Sequence, residues 1–406
     1  MAVGLKEPAG LLPVEGVRLS ACSAGIYQNI RLDFALLAFE QDASCAAMFT
    51  QNAFCAAPVL IAKQHFGKTS PEFCLINAGN ANAGTGEQGY QDAIDVCHDL
   101  AAIAHCPVES ILPFSTGVIG EYLPTDKLCA ALPGLYNSLA DDNWLDVGRA
   151  IMTTDTLVKG LSKKINIDKQ PVTITGIAKG AGMIRPDMAT MLAFIATDVK
   201  VERGFVEQIL CSAVEKSFNR ICVDGDTSTN DACVLIATGK SKASVPADLN
   251  SEAAIQLIDA ITHVCAELAQ AIIRDGEGAS KFITVEVNGG KSREECLTVA
   301  YTIANSPLIK TAFFGSDPNW GRILAAVGRS GLVDLIVADV SIYLDDVCIV
   351  ENGVRAKDYL ESAGQAVMSG HDILLRVSLG RGKASESIWT CDLSHDYVTI
   401  NAEYRT

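Results

Sequence analysis

The sequence predicts an α+β fold, or a layered αββα arrangement, on three observations. Short β-rich runs alternate with amphipathic helical stretches. Their order keeps no regular strand–helix–strand rhythm, which argues against a parallel doubly wound sheet. The 406 residues are 49% apolar and 20% charged, enough to bury a sizeable core without metals or disulfides. At about 150 residues per domain, that length suggests two or three domains.

Along the chain, strands are expected at 34–39, 73–77, 172–178, 190–196, 233–237 and 282–287, where β-branched and apolar residues cluster between turn signals. Helices are expected at 91–104, 202–217, 251–274 and 356–368, where apolar residues recur at helical spacing. Late strands are expected at 332–343, 373–379 and 398–402. No fixed-period repeat and no low-complexity linker divides the chain.

Composition excludes several function classes. The net charge of −16 repels phosphate backbones, so nucleic acid is not an expected partner. No apolar run approaches the roughly 18 residues needed to span a bilayer, and the N-terminus has neither secretory nor transit character. Membrane insertion is therefore not expected. The 14 cysteines are scattered, with no Cys-x-x-Cys pair and no cluster with the six histidines. That pattern predicts small thiols in a reducing cytoplasm and no metal site. Gly239-Lys240-Ser241 ends like a phosphate loop, but Val234 stands where the first glycine belongs. The start at Asp224-Gly225-Asp226 resembles a calcium loop, yet Leu235 replaces its terminal carboxylate.

Chemistry is expected in the polar, glycine-dense segments 77–86, 115–117, 179–183, 224–231 and 276–278. Each by itself reads as a tight turn, but glycines also let backbone N–H groups approach a ligand or an oxyanion. The sharpest stretch is 179–198, where a polar loop with Pro186-Asp187 runs into a strand that starts at Thr190. Two readings stand: a simple strand-start threonine, or a self-cleaving site. In the second, Thr190 Oγ attacks the carbonyl of the small Ala189, and hydrolysis of the ester leaves Thr190 as a new N-terminus.

The run 179–198, with Ala189-Thr190-Met191-Leu192 at its centre, closely resembles the ornithine acetyltransferase / glutamate N-acetyltransferase family of arginine biosynthesis. So do 77–86, 115–120, Thr153-Thr154-Asp155-Thr156, 224–231, 276–279, 306–312, 315–322 and 401–406, in the family's order. The resemblance implies an αββα sandwich like that of N-terminal-nucleophile enzymes, with a second smaller lobe. It implies self-cleavage between Ala189 and Thr190 into chains 1–189 and 190–406, joined as a heterotetramer of two of each. Thr190 is then the nucleophile, with its own α-amino group as base, and Thr116 and Gly117 donate to the oxyanion.

The substrate residues implied are Thr153, Lys179, Thr190, Glu277, Asn401 and Thr406. Lys179 suits an α-carboxylate and Glu277 the side-chain ammonium of an ornithine derivative. The reaction implied is ping-pong acetyl transfer from N2-acetyl-L-ornithine to L-glutamate, with small amino acids as partners and no cofactor. A bifunctional member also takes acetyl groups from acetyl-CoA. The rival reading is a related N-terminal-nucleophile aminopeptidase or amidohydrolase, in which water replaces glutamate. A third, a non-enzymatic scaffold, requires a chain that never cleaves.

Overall fold

A computed structural model of the protein describes residues 2–185 and 191–403. The junction Ala189-Thr190 and the terminal Thr406 lie outside the described residues. The run Phe34–Phe39 is apolar at every position because both of its faces are covered. Its side chains alternate: Leu37 packs toward one partner layer, while Leu36 packs toward another. This strand belongs to a four-stranded sheet in the order Val17–Cys22, Phe34–Phe39, Phe73–Asn80, Ile111–Val118. The last pair runs parallel and the others antiparallel.

A five-stranded sheet lies against it, in the order Ser44–Phe49, Ala232–Ala237, Leu192–Thr197, Gln170–Lys179, Lys159–Ile167. Leu37, Ile76 and Phe114 of the first sheet share a core with Phe194, Val234 and Ile236 of the second. Phe114 and Phe194 meet edge to face with centroids 5.2 Å apart, the arrangement the ring quadrupoles favour. On the outer face of the first sheet, the helices Gly86–Ala104 and Thr125–Asn137 bury Val96, Leu100 and Leu132. On the outer face of the second, Arg203–Glu215 and Glu252–Arg274 bury Ile209, Val264 and Leu268. The four layers are helix, sheet, sheet, helix: the expected αββα sandwich.

A second lobe is built on a seven-stranded sheet from Ile221–Cys222 through Ala384–Cys391, Phe282–Gly290 and Asp372–Ser378 to three short edge strands. Ile283, Val285, Leu375 and Val377 pack there against Val299, Ile303 and Val327 from the helices Arg293–Ala304 and Trp320–Gly328. The two-residue strand Ile221–Cys222 pairs with Ala384–Cys391 and so ties the sandwich chain to this sheet.

Four expectations from the sequence need correction. Most of 332–343 is not strand: only Ser341–Leu344 pairs, and Val333, Ile336 and Val337 remain exposed, since among the described residues no strand pairs with that apolar run. The helix expected at 356–368 begins only at Glu361, because Tyr359 N–H turns back to the Ala356 carbonyl. The β-branched run 398–402 lies in a helix, His395–Ala402. Helical spacing puts Tyr397 and Asn401 on one face, where both find polar partners. Finally, the 23-residue helix Glu252–Arg274 is long and apolar enough to cross a membrane by length and composition. Asp259 and Glu267 interrupt its apolar run in the sequence. Its apolar stripe packs on the second sheet, as a core helix does.

Candidate active site

The site begins where Phe73–Asn80 and Ile111–Val118 run side by side. Gly79 faces Gly117 across the ladder, and both have positive φ, +104° and +135°. A Cβ on Gly117 would sit 2.3 Å from the Gly79 carbonyl carbon, so only glycine permits this approach. Buried amides brace the same backbone. Ser115 Oγ donates to Asn77 Oδ1 at 2.6 Å, and Asn77 Nδ2 donates to the Asn80 carbonyl at 2.9 Å. From the segment before Ala232–Ala237, Asn230 Nδ2 donates to the carbonyls of Ala81 (2.7 Å) and Ser115 (3.0 Å). Thr116 and Gly117 are thereby held at the cavity wall.

Lys179 ends the strand Gln170–Lys179, in register with Leu192 on the neighbouring strand. Its Nζ donates to Thr153 Oγ1 at 2.8 Å and to Thr116 Oγ1 at 3.3 Å, and lies 3.8 Å from Asp155 Oδ2. Burial lowers the Lys179 ammonium from its ordinary range, against the opposing pull of Asp155. Behind it runs a buried charge chain. Lys159 Nζ lies 2.6 Å from both Asp155 Oδ1 and Asp275 Oδ2. Burial by itself would raise the Asp155 carboxyl, but the ammonium groups of Lys159 and Lys179 hold it well below the usual carboxylate range.

The opposite charge enters on a glycine-flanked turn. Glu277 N–H donates to the Ala181 carbonyl at 2.8 Å, which sets the turn against the loop after Lys179. Asn401 Nδ2 donates to Glu277 Oε2 at 2.7 Å. Gly182 leaves space for that carboxylate, since a Cβ there would come within 2.5 Å of it. Gly278, at φ +69°, lets the His395–Ala402 helix approach, because a Cβ would meet Tyr397 N at 2.5 Å. Tyr397 OH donates to Asp224 Oδ2 at 3.2 Å, and the same carboxylate accepts the Met183 and Ile184 amides.

One cavity of about 220 Å³ is lined by Thr116, Gly117, Thr153, Lys179, Glu277 and Asn401. These are all the site residues expected from the sequence that fall among the described ones; Ala189, Thr190 and Thr406 do not. The described chain resumes at Met191, whose N–H donates to Asp231 Oδ1 at 2.9 Å. Burial pushes the Asp231 carboxyl well above the usual range. Among the described residues no group of three or more His, Cys, Asp or Glu could hold a metal ion. The sequence reading missed Asp155, Asn230 and Asp231 as individual residues. Their signal was faint: Asn230 and Asp231 end the polar segment 224–231, and Asp155 stands only in the run Thr153-Thr154-Asp155-Thr156 that resembles the family.

A four-layer αββα sandwich with an ammonium, a carboxylate and hydroxyl donors in one small cavity defines a protein that handles small charged molecules. The chain belongs to the ArgJ family, whose family model matches residues 18–406. It is 52% identical over 406 residues to the arginine biosynthesis bifunctional protein ArgJ of Pseudomonas fluorescens, covering 100% of both chains. It is 54% identical over 398 residues to the protein of the same name from Methylococcus capsulatus, covering 98% of this chain and 97% of that one. Among solved structures, the arginine biosynthesis bifunctional protein of Bacillus halodurans matches at 35% identity and a TM-score of 0.48, over 50% of this chain and 95% of that one. An ornithine acetyltransferase complexed with ornithine, from Mycobacterium tuberculosis, matches at 31% identity and a TM-score of 0.38, over 44% and 94%.

Proposed function

We propose that the protein is an ornithine acetyltransferase / glutamate N-acetyltransferase of arginine biosynthesis. It moves the acetyl group of N2-acetyl-L-ornithine to L-glutamate through an acetyl-Thr190 intermediate. The carrying observation is that six residues from distant parts of the chain, Thr116, Gly117, Thr153, Lys179, Glu277 and Asn401, line one cavity. Membership of the ArgJ family, over nearly the whole chain, supports the same reading.

In this reading Thr190 Oγ first attacks the Ala189 carbonyl, the Thr190 amide nitrogen leaves as an amine, and water releases chain 1–189 from chain 190–406. The freed α-amine, with an ordinary pKa of about 7.7–8.0, is neutral often enough near pH 7 to accept the Thr190 hydroxyl proton. The hydroxyl oxygen then attacks the acetyl carbon of N2-acetylornithine. Negative charge gathers on the acetyl oxygen, where the Thr116 hydroxyl and Gly117 N–H donate hydrogen bonds. Ornithine departs with a proton, and the amino group of glutamate takes the acetyl group by the reverse sequence. Glu277, held by Asn401, receives the side-chain ammonium of ornithine, and Thr153 and Thr406 complete the binding surface. The two chains stay together, two of each, in the cytoplasm. Acetyl-CoA is the second donor, and no cofactor takes part.

Intact-mass analysis of the purified protein tests the first step: two fragments meeting at Ala189/Thr190 are expected. Incubation with N2-acetylornithine, with and without glutamate, and with acetyl-CoA as donor, tests the second. Ornithine release that depends on glutamate and yields N-acetylglutamate is the expected result. Release at the same rate without glutamate would replace the transferase with a hydrolase, and an uncleaved chain would remove Thr190 as the nucleophile.

A further inference from the structure

Asp155 does not line the cavity, yet it touches nearly everything that shapes one wall of it. Its side chain is fully buried. Oδ1 accepts the Gly180 N–H at 2.7 Å and Lys159 Nζ at 2.6 Å. Oδ2 accepts the Thr153 N–H at 3.1 Å and faces Lys179 Nζ at 3.8 Å. One carboxylate thus fixes the residue on either side of the Lys179 contact: the backbone of Thr153 and the peptide that follows Lys179.

An ammonium has three N–H groups and accepts nothing. Lys179 directs them at Thr153 Oγ1, at Thr116 Oγ1 and toward Asp155. Two of its N–H groups are thus committed to the threonine hydroxyls, with the Asp155 carboxylate on a further side. At Thr116 the ammonium occupies a lone pair of the hydroxyl oxygen, so the hydroxyl hydrogen must point away from Lys179. Thr116 lines the cavity, and an O–H aimed into that cavity is what an oxyanion donor needs.

We propose that Asp155 is a positioning residue for acetyl transfer: it holds the Lys179 ammonium against Thr116, and Lys179 in turn aims the Thr116 hydroxyl into the cavity. This rests on the acetyl-transfer reading of the site. Lys179 then acts on the oxyanion through Thr116.

The test compares wild type with Asp155→Asn, Lys179→Met, Thr116→Ala and the Lys179→Met/Thr116→Ala double variant, measuring kcat and KM for acetyl transfer from N2-acetylornithine to glutamate. Asp155→Asn is expected to lower kcat about 10–100-fold, the scale of a small misplacement, with KM held within about twofold. Its alkaline limb should also move to lower pH. The charged groups acting on Lys179 are Asp155, Lys159, Asp231 and Glu277. Removing the charge of Asp155 takes away its upward pull, so the ammonium is lost sooner as pH rises. The Thr190 amine titrates in both proteins, so the difference between them reports Lys179.

The double variant should be no slower than the slower single one, because both substitutions disable the same donor. Additive losses, or a Lys179→Met protein with raised KM and intact kcat, would overturn the proposal; so would an unshifted alkaline limb in Asp155→Asn. Should Asp155→Asn fail to fold, the Lys179/Thr116 cycle decides alone. A wild-type protein with no transfer at all would strike the acetyl-transfer reading itself, whereas a transferring wild type with an additive cycle strikes only the positioning of Thr116 by Asp155 through Lys179.

Discussion

Asn401 Nδ2 lies 2.7 Å from Glu277 Oε2, across 124 residues of sequence. The contact docks the last helix against the Gly276–Glu277–Gly278 turn and orients the carboxylate of Glu277, a residue only 8% exposed. Asn401 donates twice, to Glu277 and to the Tyr397 carbonyl one turn earlier. An aspartate there has no N–H to give and sets a second negative charge beside the first.

Asn401→Asp should therefore raise KM for N2-acetylornithine about tenfold or more, with a smaller change in kcat, because the carboxylate offered to the substrate is displaced. Deleting 401–406 should abolish transfer while leaving chain cleavage largely intact, since cleavage requires no ornithine. Transfer and cleavage measured side by side decide the matter. Full transfer activity in the deletion would remove Asn401 and Thr406 from the site.

Thr116→Ala should act on the opposite kinetic parameter. Loss of one oxyanion donor costs about 10²–10³-fold in kcat where such donors have been measured, with little effect on ground-state binding. Gly117 N–H remains, so residual turnover is expected. Cleavage at Ala189/Thr190 passes through a similar oxyanion and should slow in parallel. A variant that raises KM alone would reassign Thr116 to substrate binding.

Gly182→Ala probes space and not charge. The added Cβ would lie 2.5 Å from the Glu277 carboxylate. Glu277 is held by Asn401 and must shift by roughly an ångström to restore normal contact. Ornithine-site affinity should fall while the fold survives, because the obstructed group is the end of a side chain and not backbone. Thermal unfolding within a few degrees of wild type, together with a raised KM, is the expected pair of results. An unchanged KM would show that Glu277 does not meet the substrate.

Lys159→Met tests the buried charge chain. It leaves Asp155 and Asp275 without the ammonium that lies 2.6 Å from each. Breaking a buried pair in this way costs about 3–5 kcal/mol near neutral pH. The sign with pH follows from Asp155, whose carboxyl is depressed in the folded protein. Its contribution is complete above the ordinary aspartate pKa of about 3.9 and fades as pH falls below that value toward the depressed one. The gap in melting temperature between wild type and Lys159→Met should thus be widest near pH 7 and narrow below about pH 4. A gap independent of pH would mean that Lys159 contributes packing alone.

Local pattern determined much of this protein before any fold was seen. Runs such as 34–39, 172–178 and 233–237 are strands because buried β-rich segments carry that signal within a few residues. The helix 91–104 lies within Gly86–Ala104 for the same reason. The glycine-dense polar segments also announced themselves, since unusual backbone conformations demand glycine: Gly79, Gly117 and Gly278 all have positive φ. Thr116, Gly117, Lys179 and Glu277 sit in those segments; their roles, and Thr153 and Asn401 altogether, follow from the family resemblance.

Tertiary structure decided what no short window contains. The run 398–402 has the β-branched composition of a strand, but Tyr397 and Asn401 reach Asp224 and Glu277 together only from one helical face. The partners of Lys159 lie 4 and 116 residues away, so their charge balance exists only once the chain has folded. In the sequence Asp155 stands only as part of the run Thr153-Thr154-Asp155-Thr156, with no role of its own. Its burial beside two ammonium groups, which sets its charge and makes it an organiser of the cavity wall, is a property of the packed molecule. Periodicity and backbone preference are local and can be read from neighbours in sequence. Burial and electrostatic pairing are properties of neighbours in space.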